Sequence, residues 1–369
     1  MIYLDYQATT PLAPEAREAM LPWLDKFGNP HSPHRLGREA SAAIEIATAQ
    51  VASAMGDSEG QGRLILTSGT TEAANWALQG TVAGARRKIV TIATEHACVL
   101  DTAEWLARRN VELVILPVLA NGLVDLDAAA RAIDGQTALV AAMLVNNEIG
   151  VIQPIAELAQ LAHQTGALLF CDAVQGFGRI DLPLGACDLV AISAHKIHGP
   201  KGIGALWLRD RLDWPAMIHG GGQQQGLRSG TLSPMLAVGF GAAAALADQR
   251  RENDGLHISS LSDLSDNLFK DWALNGDPVR RYGGNRNLRR DGVDSSRLIS
   301  ELRDIAFSAG SACASGSGRP SHVLRALGLS EPQARSSIRL GFGRYTTHEE
   351  LREAAALINQ AATRQLEWA

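Results

Sequence analysis

Short apolar runs that end on polar residues, separated by helical stretches, are the feature that most constrains the fold of this chain. Lys88 to Ala93, Val111 to Pro117, Ala138 to Leu144, Leu168 to Asp172 and Asp188 to Ser193 read as strands, with helices near Val99 to Arg108 and Ile155 to Thr165. Such alternation predicts a largely parallel sheet with helices on both faces, and ligands bound at the strand ends. The polar residues stand where that rule puts them. Glu95 and His96 follow the first run, Asn146, Asn147 and Glu148 the third, Asp172 and Gln175 the fourth, and His195 and Lys196 the fifth. Four strand ends therefore offer His96, Asn147, Asp172 and Lys196 to one crevice.

Lys196 is the centre of that set. The chain has five lysines, and this one directly follows a buried strand, where a partly desolvated amine has a lowered pKa and can form a Schiff base. Lys201 is the rival, but it lies inside the glycine loop HGPKGIG rather than at the strand end. Upstream, the strand Leu64 to Leu66 runs into TSGTTEAAN, with a helix beginning near Thr71. Free N–H groups and the positive helix end there suit an anion, with Thr70 and Thr71 as hydroxyl donors; an ordinary helix cap reads the same way. No G-x-G-x-x-G follows a strand, which argues against a dinucleotide. The set instead meets the needs of pyridoxal phosphate: a lysine (Lys196), a carboxylate for the ring nitrogen (Asp172), an anion cradle (Thr70, Thr71) and a flat group over the ring (His96).

At 369 residues and 46% hydrophobic, the chain should form about two domains, divided near the polar stretch RRENDG that follows a helix at Leu236 to Arg250. The expected division is a large cofactor-binding domain over 13–250, and a smaller α/β domain from 1–12 and 251–369. A formal charge of -5 favours neither nucleic acid nor an anionic membrane, so a small-molecule substrate is expected. The N-terminus lacks the pattern of a signal peptide and no apolar run is long enough to span a bilayer, so the expectation is a cytoplasmic protein. The basic cluster RRYGGNRNLRR, Arg280 to Arg290, reads as a solvated face, with a docking patch for an acidic protein as the alternative.

The four cysteines show no paired C-x-x-C spacing, which argues against a structural zinc site or a disulfide framework. Cys98, Cys171 and Cys187 lie in or beside apolar runs and read as buried small hydrophobes. Cys313 sits in FSAGSACASGSGR, a stretch of serine, glycine and alanine, which makes it a candidate nucleophile. Downstream, SSIRLGFGRY places Arg339 at the end of a strand-like run, where it could clamp a carboxylate bidentately.

These stretches together resemble the cysteine desulfurases of the NifS/IscS type, within the class V aminotransferase group of fold type I pyridoxal phosphate enzymes. The similarity runs through LDYQATTP, GNPHS, TSGTTEAAN, TEHACVLDT, NNEIGVIQP, CDAVQ, SAHKIHGPKGIG, RSGTL, GSACAS with PSHVLRALG, and SSIRLGFGR. It implies a large domain with a mostly parallel seven-stranded sheet flanked by helices, plus a smaller C-terminal α/β domain. It implies that Lys196 carries the cofactor and moves the substrate Cα proton, that His96 stacks on the ring and serves acid–base steps, and that Asp172 and Gln175 meet the ring nitrogen and ring hydroxyl. Thr70, Thr71, Ser193 and His195 would hold the phosphate, joined by Thr231 from the other subunit of a homodimer. Asn147 and Arg339 would bind the carboxylate of L-cysteine, Asn147 also lying near the cofactor, with Asn29 assisting.

The implied reaction gives alanine and a persulfide on Cys313, for transfer to a sulfur-acceptor protein such as an iron–sulfur scaffold, or for thio-cofactor and tRNA synthesis. Cys313 would also be a candidate shared ligand of an iron–sulfur cluster. The chain departs from the family pattern at Gln224, where an acidic residue is common, and in the arginines of GNRNLRRDG. It also ends at LEWA, before the tail that many members use to dock their scaffold. Two alternatives remain: another class V lyase or aminotransferase, which would not need Cys313, and a catalytically silent partner in a sulfur-transfer assembly.

Overall fold

The structure is a computed structural model that describes residues 1–57, 60–82, 84–210, 212–310 and 321–367. After a two-residue strand β1 (Ile2–Tyr3), seven strands build the main sheet: β2 (Gly62–Thr67), β3 (Lys88–Ile92), β4 (Glu112–Leu116), β5 (Thr137–Met143), β6 (Leu168–Asp172), β7 (Leu189–Ser193) and β8 (Gly204–Arg209). Their order is β2-β8-β7-β6-β5-β3-β4, with β8 antiparallel to both neighbours and the other contacts parallel. The expected mostly parallel seven-stranded sheet is therefore present.

Successive strand residues face opposite layers, which is why these runs are continuously apolar. Leu169 and Cys171 of β6 join one core with the helices Arg35–Met55 and Ile155–Gln164. Phe170 between them joins the other, with the helices Thr70–Thr81 and Ala97–Ala107. β2 runs antiparallel to β8 and hence in the same direction as β7, so β2, β3, β5, β6 and β7 all end on one edge of the sheet. At that edge Gly204 opens β8 so close to the β2 turn that an added Cβ would sit 2.6 Å from Ile192 O and 3.0 Å from Gly69 Cα.

A second core gathers Ile2 and Leu4 with Leu261, Leu288, Ile338, Leu340, Leu351 and Ile358. Its four-stranded antiparallel sheet has the order β12-β13-β10-β9, formed by β9 (Ala273–Leu274), β10 (Asn285–Arg289), β12 (Ser308–Ala309) and β13 (Ser337–Gly341). β1 pairs in parallel with β11 (Ile305–Ala306). Among the described residues no helix is long and apolar enough to cross a membrane.

Two local expectations change. The helix expected to stop near Arg250 continues as one helix, Pro234–Leu268. Its first half buries Ala237, Phe240 and Ala244, its second half buries Ile258 and Leu261, and the polar RRENDG is an exposed middle stabilised by Arg250–Asp254 and Arg251–Asp248 pairs. The Arg280–Arg290 cluster is a solvated face only in part: Arg280 is exposed, but the strand within the cluster is buried. Arg286 lies on β10 and is 4% exposed, its charge met by Asp266 at 3.1 Å, and burial lowers the pKa of Arg281 to about 9. β10 is buried from Asn285 to Leu288, with Leu288 in the apolar core, and this carries Arg286 inward with it.

Candidate active site

β7 is buried along all five residues and passes into a tight turn, Ala194–Lys196. The turn is held from the N-terminal segment: Thr10 donates to His195 O through its backbone N at 3.0 Å and its Oγ1 at 2.9 Å. Lys196 thereby projects into a cavity of about 550 Å³ at the common edge of the strands. Its ammonium donates to Gln7 O and, at 2.7 Å, to Ala8 O. A lysine donating to two carbonyls is oriented within the cavity, its amine held beside the N-terminal segment.

Asp172 ends β6 and is 5% exposed, with Val174 N donating to Oδ1 at 3.0 Å. Burial raises its pKa against the opposing pull of His96 and Lys196. Glu95 and Glu148 are buried nearby, and burial raises both, Glu148 to about 7. His96 caps the helix Ala97–Ala107: the Cys98 amide donates to Nδ1 at 3.2 Å, which leaves Nε2 as the nitrogen that carries a hydrogen. Gln175 donates from Nε2 to Gln7 O at 2.9 Å and accepts from Arg179 at 2.5 Å, so its second Nε2 hydrogen remains available to a ligand.

At the other end of the cavity the helix Thr70–Thr81 starts on Gly69, which supplies no side-chain cap. Thr70 Oγ1 is buried with no hydrogen-bond partner among the described residues. Ser193, His195, Thr71 and Gly202 line the same end. The pKa of His195 falls to about 4, first through burial and then through the cations Lys196, Lys201 and Arg179, so the ring is a neutral hydrogen-bonding group. An uncapped helix start, an orphan hydroxyl and a buried carboxylate across the cavity fit the phosphate and the ring nitrogen of pyridoxal phosphate.

Arg339 lies in the middle of β13 rather than at its end, 1% exposed. Nη2 meets Asp5 Oδ1 at 2.7 Å, Nη1 donates to Asn147 O at 3.1 Å, and Nε is buried without a partner among the described residues. The structure thus brings Thr70, Thr71, His96, Asn147, Asp172, Gln175, Ser193, His195, Lys196 and Arg339 around one cavity. Asn29 is elsewhere: it is exposed, and its Oδ1 accepts from His31 N at 2.9 Å within its own turn. Thr231 is exposed and lines none of this cavity in the single chain. Cys313 lies outside the described residues.

Several lining residues had no role in the sequence reading. Gln7 and Thr9 come from the N-terminal segment, and Cys98, expected to be fully buried, is half-buried with Sγ 3.1 Å from His96 Nδ1. Cys171 and Cys187 are fully buried as expected. The sequence signal for Gln7 was its place within LDYQATTP. No spacing rule connects that motif to a strand end almost two hundred residues away.

The lysine at one strand end, the buried carboxylate at the next and the anion cradle beside them define a pyridoxal phosphate-dependent enzyme of fold type I. Within that class the chain belongs to the class V aminotransferases, whose family model matches residues 2–353, and it is a cysteine desulfurase of the IscS/NifS type. It is 44% identical over 97% of its length to the cysteine desulfurase IscS of Rickettsia bellii (strain OSU 85-389), covering 90% of that protein. It is 45% identical to the cysteine desulfurase IscS of Rickettsia africae (strain ESF-5), with the same coverage. Among solved structures a NifS-like protein superposes with a TM-score of 0.90 at 29% identity, covering 98% of this chain and 99% of that one. A structure of SspA in complex with cysteine gives 0.83 at 31% identity over 94% of this chain and 100% of the other.

Proposed function

We propose that the cavity converts L-cysteine to L-alanine while Cys313 takes the sulfur. In balance, L-cysteine and the Cys313 thiol give L-alanine and a Cys313 persulfide: the substrate carbon–sulfur bond breaks, a sulfur–sulfur bond forms, and no external oxidant is needed. Pyridoxal phosphate, when bound, makes the substrate Cα proton acidic and labilises the carbon–sulfur bond.

The chain's own groups do the rest. Lys196 leaves the carbonyls of Gln7 and Ala8, and its amine moves the proton at Cα. Asp172, whose proton affinity burial has raised, would accept a hydrogen bond from the ring nitrogen of the bound cofactor. His96 would cover the ring and supply its Nε2 proton for acid–base work. Thr70, Thr71, Ser193 and His195 would hold the phosphate, and Gln175 would donate to the ring hydroxyl. Arg339, whose Nε has no partner among the described residues, takes the substrate carboxylate beside Asn147. On this reading residues 13–250 carry the cofactor, residues 1–12 and 251–369 form the smaller domain, and the working unit is a cytoplasmic homodimer passing sulfur to an acceptor protein such as an iron–sulfur scaffold.

The observation that carries the reading is the pair of unpartnered buried donors, Thr70 Oγ1 and Arg339 Nε, at a cavity whose base is Lys196. The test is alanine and sulfide release from L-cysteine with a reductant, beside Cys313→Ser and Lys196→Ala. Equal alanine and sulfide, lost in both variants while Cys313→Ser keeps its yellow cofactor, is the expected result. Alanine release that persists in Cys313→Ser would point to another class V lyase.

A further inference from the structure

Behind the Lys196 turn lies a second cleft, of about 250 Å³, between the two cores. It is walled by the segment after β6, by the middle of the helix Pro234–Leu268 and by the chain following β13. Three guanidinium groups line it, Arg179, Arg251 and Arg344, against one carboxylate, Asp254. That carboxylate is already engaged: Asp254 Oδ2 accepts from Arg344 Nε at 2.8 Å and faces Nη2 at 2.7 Å. Arg251 is engaged at both terminal nitrogens by Asp181 (2.6 Å) and Asp248 (2.9 Å). Arg179 donates to Gln175 and, at 2.9 Å, to Lys196 O, and stacks over the Tyr282 ring at 5.2 Å.

Two cationic donors remain over. Arg344 Nη1, on a side chain only 5% exposed, and Arg251 Nε are buried with no hydrogen-bond partner among the described residues. Buried guanidinium hydrogens without acceptors cost more than ordinary polar ones, and the cleft they border holds excess positive charge. A small anion satisfies both demands at once.

We propose that this cleft is a second binding site, for a small oxyanion such as a carboxylate or inorganic phosphate, held by Arg344 with Arg251 and Arg179. It is separate from the cofactor cavity, yet its walls include the Lys196 turn and the chain three residues beyond the β13 strand that carries Arg339. An anion there bridges both domains.

The test uses the cofactor-loaded enzyme, with the cofactor absorbance followed to show that nothing is displaced from the first cavity. Equilibrium dialysis with radiolabelled phosphate should find one site per chain beyond the cofactor, and crystals soaked in selenate should show an anomalous peak beside Arg344. Arg344→Lys keeps the charge facing Asp254 but removes Nη1, and should weaken phosphate binding at least about tenfold. Gly255→Leu serves as the second variant. Gly255 lines the cleft, an added Cβ meets nothing within 4 Å, and the position is helical, so the fold is kept while the mouth is filled. Competition by succinate identifies a carboxylate as the preferred source, and its absence an inorganic anion. No extra phosphate, a selenate peak elsewhere, or binding unchanged in both variants would overturn the proposal.

Discussion

Glu148 carries the sharpest conflict between burial and charge near the site. Its carboxyl is 4% exposed, accepts from Ser321 Oγ, and has its pKa raised from 4.5 to about 7 by burial, against the pull of that hydrogen bond, Arg339 and His96. Between those values the folded chain holds a proton that the unfolded chain has released, so stability falls as pH rises from 4.5 to about 7 and falls no further above it. The contribution is on the order of 3 kcal/mol. Asp172 and Glu95 act in the same direction, while His195 and His198, both lowered to about 4, act in the opposite one. The comparison must therefore be with Glu148→Gln, which retains an acceptor for Ser321 but cannot ionise. Urea unfolding at pH 5 and pH 8 should show the variant gaining on the native chain by about 2 to 3 kcal/mol at the higher pH. Parallel pH profiles for the two proteins would refute the assignment.

Among the elements, the helix Pro234–Leu268 belongs to both cores, and its glycines separate two physical roles. A Cβ at Gly241 would lie 2.4 Å from Gln50 Oε1 and 2.7 Å from Ala47 Cα, so this glycine lets the helix Arg35–Met55 approach closely. Gly255 faces open space. Gly241→Val should cost between about 1 and 3 kcal/mol by overpacking, while Gly255→Ala should gain up to about 1 kcal/mol from helix propensity. Shifts of the urea midpoint in the same direction for both would contradict this account. The same helix shows where sequence reading stops. Strand runs such as Leu168–Asp172 were legible because burial on both faces leaves an unbroken apolar signal, and their polar ends identified Asp172 and Lys196 directly. The polar RRENDG resembled a boundary because side-chain ion pairs that sustain an exposed helix leave no apolar period. Gln7 was illegible for a different reason: its partner Gln175 is distant in sequence, and only the folded chain brings the two together.

At the scale of the whole molecule, the cofactor cavity of a single chain lacks one expected phosphate ligand. Thr231 is exposed and outside the cavity, whereas Thr70, Ser193 and His195 line it. Large apolar side chains also stand exposed just after the helix Pro14–Met20: Leu24 at 64% and Phe27 at 87%. A second copy of the chain would cover such a surface and bring in Thr231, making each cavity a product of two subunits. Mixed dimers decide this without a structure of the assembly. Lys196→Ala and Thr231→Ala homodimers should both be impaired, the second chiefly in cofactor affinity. A heterodimer of the two variants contains one complete site if Thr231 acts across the interface, because the chain with intact Lys196 then receives threonine from its partner. Tagged, purified heterodimers should regain roughly half the native desulfurase activity at limiting cofactor, as expected for one of two symmetric sites. If Thr231 served its own chain, every site in the heterodimer would carry one defect, and no activity above that of the Thr231→Ala chain would return.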